Sequence, residues 1–192
     1  LPMRNLTLIL ISLSFMNAMA QKEPVIAIPF DTVSEKYAYV GVVKAEERSS
    51  SFLYKNAKTW LIGLNGNDSM IDIVNDSLIR DRGTVTVTLV IKGAMGVKIP
   101  IPYNVSYMIT LEFKEGRYRY TITNFTINGS NTGSDQSMAL ETYVKQHENM
   151  NLGKRDVIAQ EEQFCAELDD KVKKLIESMK ASIGVDEKAD DW

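Results

Sequence analysis

The chain has 192 residues, 44% hydrophobic and 24% charged, which suits one domain with a real core. Its 22 basic and 25 acidic residues give a net charge of −3. That balance argues against nucleic-acid binding, which rests on neutralising phosphates with Lys and Arg. The single cysteine, Cys165, has no internal disulfide partner, so the fold must hold without bridges.

Leu1 and Pro2 precede the first methionine, Met3, and read as a remnant. Arg4 is a positive lead, Leu6 to Met16 is an uncharged apolar run, and Ala18 and Ala20 are the small residues a signal peptidase needs. This three-part pattern predicts an export signal over 1–20. The apolar run has eleven residues, against the roughly 20 that a spanning helix requires. No cysteine follows Ala20, so a lipid-anchored form is not expected, and no later segment is apolar enough to span a membrane. Removing the signal removes Arg4 and shifts the net charge to −4.

Residues 21–36, with two prolines and mixed polarity, read as an extended N-terminal arm. Tyr37 to Ala45 is rich in β-formers and predicts a first strand. Ser49-Ser50-Ser51 offers helix N-caps, and Leu53, Ala57, Trp60, Leu61 and Leu64 form one stripe at helical spacing. A helix over 51–63 follows, ended by Gly63 and Asn65-Gly66-Asn67.

Met70 to Val74 reads as a short strand, 75–77 as a turn, Leu78 to Arg80 as renewed pairing, and Asp81-Arg82-Gly83 as another turn. Thr84 to Lys92 alternates: Val85, Val87, Leu89 and Ile91 share one face, and Thr84, Thr86, Thr88 and Lys92 the other. Gly93 to Pro102, with two glycines and two prolines, reads as an irregular connection. Asn104–Lys114 and Arg117–Ile127 flank Glu115-Gly116, a two-residue hairpin turn. That register opposes Lys114 to Arg117, Phe113 to Tyr118, Leu111 to Tyr120 and Ile109 to Ile122. On the other face it opposes Glu112 to Arg119, Thr110 to Thr121 and Met108 to Thr123. A one-residue slip would scramble both faces, so this pairing is strongly specified.

Residues 128–137 read as a polar loop, Met138 to His147 as a short helix, and 148–155 as irregular. The last helix is expected from about Val157 to Ser182, with Phe164, Leu168, Val172, Leu175, Met179 and Ile183 as its apolar stripe. Its acidic first half and basic second half suit the helix dipole. Gly184 ends it, before an acidic tail over 185–192.

With these elements placed, the chain resembles the bacterial domain of unknown function family 4468, which has a TBP-like fold. The likeness rests on 54–61 (YKNAKTWL) and 114–125 (KEGRYRYTITNF), with weaker matches at 140–143 and 175–180. The resemblance implies a curved antiparallel sheet with helices on one face, in exported proteins of Gram-negative bacteria. It implies no activity, and fold alone does not carry function.

The expected fold is α+β: a twisted antiparallel sheet of about five strands with two main helices packed on one face. One domain over 37–184 is expected, with a core of Trp60, Leu61, Val87, Leu89, Leu111, Tyr120, Ile122, Phe164, Leu168, Leu175 and Met179.

No catalytic pattern stands out. His147 is the one histidine, in a polar segment, where a metal site would draw several ligands. Cys165 has acidic neighbours that discourage a thiolate, and it borders the apolar stripe, so it reads as a buried or interface cysteine. There is no G-x-S-x-G elbow and no phosphate-binding loop. Carboxylates are plentiful, but nothing selects one pair. Six N-x-[ST] triplets occur, and Asp31-Thr32-Val33, Asp68-Ser69-Met70 and Asp76-Ser77-Leu78 fit a short periplasmic O-glycosylation pattern. The expected ligand-binding residues are Arg117, Arg119, Thr121, Thr123 and Thr110, joined by Thr84, Thr86 and Thr88 on one sheet face. Such a face suits an anionic or extended ligand.

The function expected is therefore a non-catalytic binding or interaction module of the bacterial cell envelope, periplasmic or extracellular. No cofactor, metal, nucleic acid or membrane span is expected. The partner would be an envelope protein or a small ligand, and the protein a monomer or homodimer. Two alternatives remain open at this stage: a carboxylate-based hydrolase of envelope polymers, and a subunit that assembles through its last helix.

Overall fold

The structure, a computed structural model, describes residues 26–65, 72–128, 137–150 and 155–184. The expected export signal, most of the polar loop and the acidic tail lie outside the described residues.

The described part of the arm is not simply extended. β1 (Phe30–Asp31) and β2 (Lys36–Tyr37) form a two-stranded antiparallel hairpin. Asp31 organises its turn by accepting bonds from the Val33 amide and the Ser34 hydroxyl. Those bonds, the Ser34 hydroxyl first, hold its carboxyl below the usual range.

Then come β3 (Tyr39–Lys44), α1 (Ser50–Asn65), β4 (Asp72–Asn75), β5 (Leu78–Lys92), β6 (Lys98–Lys114) and β7 (Arg117–Ile127). β8 (Met138–Ala139), α2 (Leu140–Met150) and α3 (Arg155–Ile183) complete the chain. The main sheet is antiparallel in the order β3-β7-β6-β5-β4, with β8 on β7. The fold is α+β, as expected.

The β6–β7 register agrees with the expectation at all seven predicted pairs, from Lys114↔Arg117 to Met108↔Thr123. Beyond them the register shifts between Ser106 and Met108, and Asn124 takes a left-handed φ of 56°. This bulge restores the alternation, so that Phe125 and Ile127 face inward like Ile122. Asn tolerates that conformation better than most residues.

Two expectations are corrected. Asp81-Arg82-Gly83 is not a turn: β5 runs unbroken through it. Gly83 lies opposite Tyr107, and a Cβ there would meet the Tyr107 ring at 2.2 Å, so glycine makes room for the ring. Asp81 points into the interior and accepts the Arg82 amide at 2.7 Å. Residues 93–102 are also more regular than expected. A 3-10 turn at Ala94–Gly96 closes a hairpin, and β6 begins at Lys98. Pro100 and Pro102 fit there because β7 stops opposite Val105, and among the described residues no strand pairs with that side of β6. Opposite Pro102, the Thr88 amide points away from β6 and donates to Glu167 of α3 at 3.1 Å.

α1 starts where Ser49 Oγ accepts the Phe52 amide, the cap the serine run predicts. Its stripe is buried except Leu64, which is 42% exposed in the last turn. All eleven expected core residues are buried, as is the whole α3 stripe. The helices pack on one face of the sheet, chiefly α3 on β5 and on α1. Tyr39 Oη donates to Asp169 Oδ1 at 2.7 Å, and Lys173 Nζ holds Oδ2 at 2.7 Å, tying β3 to α3.

Candidate binding face

Helices cover one side of the sheet, so the alternate side chains of each strand stand on an open face. The register lines them up in rows. Nearest the Glu115-Gly116 turn stand Lys44, Arg117 and Lys114. The next row is Val42, Arg119, Glu112 and Leu78, and the third is Val40, Thr121, Thr110 and Arg80. Thr123, Met108 and Arg82 follow.

Across β3, β7, β6 and β5 these rows hold six exposed cations (Lys44, Arg80, Arg82, Lys114, Arg117 and Arg119) around one exposed carboxylate, Glu112. Val40 and Val42 stand 51% and 61% exposed at the β3 edge beside them. A shallow depression of about 190 Å3 lies among Val42, Glu112, Lys114, Arg117 and Arg119. It is smaller than the roughly 300–1,000 Å3 of a pocket that engulfs an organic ligand.

Residues 39–128 match the model described as Domain of unknown function (DUF4468) with TBP-like fold. The chain carries a DUF4468 domain. A TBP-like protein from Parabacteroides distasonis ATCC 8503 superposes with a TM-score of 0.61 at 15% identity, over 83% of this chain and 99% of that one. A DUF4468 family protein from Bacteroides ovatus ATCC 8483 does so with a TM-score of 0.61 at 13% identity, over 86% and 95%. At that identity the likeness concerns the fold alone. No curated protein matches the chain.

In this DUF4468 domain Arg117, Arg119, Thr110, Thr121 and Thr123 do share the open face. Thr110 and Thr121 are half-buried between the cations. Thr123 has a structural duty, because its hydroxyl donates to the Tyr37 carbonyl at 3.1 Å. Thr84, Thr86 and Thr88 lie farther along, where Thr86 Oγ1 bonds Asn104. Lys44, Lys114, Arg80 and Arg82 escaped the sequence reading. The hairpin register already opposed Lys114 to Arg117, which was a usable signal. Arg82 was hidden by the turn assignment, and Lys44 by the unknown place of β3 beside β7.

Among the described residues the buried acids Asp81, Glu161 and Asp169 lie on the helix side. Cys165 is buried there too, and burial, with the Glu161 charge second, pushes its thiol up to about 12. It is therefore protonated and inert near neutral pH. The His147 side chain lies outside the described residues. Among the described residues no group of three His, Cys, Asp or Glu side chains is placed to hold a metal ion.

Proposed function

We propose that the protein is a non-catalytic binding module of the bacterial cell envelope whose open sheet face takes an anionic partner. The observation that carries this reading is the gathering of six exposed cations around Glu112, on a protein whose net charge is −3. Like charges held side by side repel one another, and a negative partner relieves that repulsion and is steered toward the face. The partner is an acidic envelope protein or an anionic small ligand, and no cofactor is involved.

Export rests on the pattern from Arg4 to Ala20, with the acting part being one domain over 37–184. No helix among the described residues is long and apolar enough to cross a membrane.

The test is cross-linking in intact cells, read by mass spectrometry, with the protein and its Arg117→Glu/Arg119→Glu variant. Both side chains are exposed, so the variant should keep its circular dichroism, with only a small fall in Tm because Arg119→Glu faces Glu112. A reproducible partner lost in the variant supports the reading. A partner held equally by both rejects this surface.

A further inference from the structure

The distal end of the β5–β6 hairpin is built unlike the rest of the molecule. Beyond Thr88, the last three pairs are Val90↔Pro100, Ile91↔Ile99 and Lys92↔Lys98, closed by the turn at Ala94–Gly96. Met95 at the turn is 100% exposed, Val97 59%, Ile99 43% and Val90 40%. Val90 stands on the open side of the ribbon and Ile99 on the helix side, so the end is apolar on both faces. A core needs one apolar face, not two.

Two further features cost stability. Met95 sits at φ 60°, ψ 21°, a left-handed conformation that is unfavourable for a bulky side chain. Lys92 and Lys98 face each other directly, and neither is ion-paired among the described residues.

We propose that this hairpin end is a membrane-contact tip that inserts Met95 and Val97 into the surface of an anionic bilayer, with Lys92 and Lys98 at the headgroups. Three strand pairs reach about 10 Å, comparable to the roughly 5–10 Å to which interfacial segments sink. The lysine pair is repulsive in water and becomes favourable beside anionic lipid. A second copy of the chain is a poorer occupant, because two-fold pairing of tips would bring the lysine pairs together. The proposal is independent of the sheet-face reading, which concerns the other end of the sheet.

The experiment is co-sedimentation of the protein with vesicles of phosphatidylglycerol and phosphatidylcholine, and with phosphatidylcholine alone. Binding is expected to the anionic vesicles only, and Met95→Asp should weaken it roughly tenfold or more, the value of burying one such side chain. Asp tolerates a left-handed φ better than Met, so unfolding does not confound that variant. Lys92→Glu with Lys98→Glu should abolish binding, while Arg117→Glu with Arg119→Glu should retain it. Cys165 is the sole native cysteine and is buried, so Met95→Cys takes an environment-sensitive fluorophore selectively. Its emission should shift to the blue on anionic vesicles. The proposal is overturned by an absence of vesicle binding, by binding that survives Met95→Asp, or by binding that only the Arg117/Arg119 variant removes. Self-association lost in Met95→Asp without vesicle binding would also overturn it, in favour of a second copy.

Discussion

A Cβ at Gly83 would lie 2.2 Å from the Tyr107 ring, and one at Gly41 would lie 2.5 Å from the Tyr120 hydroxyl. In both places a tyrosine lies over a glycine on the neighbouring strand, so the small residue and the large one share a space. Gly83→Ala is therefore expected to destabilise the fold by about 1–3 kcal/mol through overpacking, read as a lower urea midpoint. An unchanged midpoint would mean that the ring moves freely. Glu115 makes a different kind of contact. Its carboxylate accepts the Ser50 amide at 2.9 Å at the start of α1, and that bond lowers its pKa from 4.5. A depressed carboxylate stabilises the fold above the unfolded value and loses that effect as pH falls through the folded value. Glu115→Gln should thus lower Tm slightly at neutral pH, and the difference should close below about pH 4.5. A difference constant with pH would reject the charged cap.

Among the elements, the β6–β7 hairpin was legible because its pairing is local and both faces carry information. Aromatic residues oppose apolar ones inside, and Glu112 opposes Arg119 outside. The β5–β6 hairpin was not legible, since its signals belong to two different states. Gly83 and Asp81 look like turn residues until Tyr107 is placed, and Pro100 and Pro102 look like breakers until β7 is seen to stop short. The prolines also blunt that edge, which no strand of the described residues covers. Replacing both with Thr would restore two amide donors along it. The expected outcome is concentration-dependent self-association by light scattering with Tm little changed, whereas a monodisperse variant would show that the edge is protected by other means.

At the scale of the whole molecule, charge of one sign gathers on one part of the sheet. A chain of net charge −3 holds six exposed cations on a sheet face that none of the described helices covers. If that face binds through charge, affinity for the anionic partner should fall steeply as ionic strength rises and the Debye length shrinks from about 10 Å at 0.1 M salt toward 3 Å at 1 M. Binding insensitive to salt, measured on the partner recovered by cross-linking, would point to Val40 and Val42 instead.

By itself the sequence determined the elements whose information is local: α1 with its serine cap, the register of β6 and β7, the α3 stripe and the α+β class. It also carried the family, through the residues of α1 and the hairpin. Only the tertiary structure decided what depends on which strands become neighbours. It set β3 beside β7 and β5 beside β6, which joined Lys44, Arg80 and Arg82 to Arg117 and Arg119 on one face. The reason is physical: a strand's alternation says which side chains share a face, but not which strands share a sheet, and that order is chosen by the packing of the core.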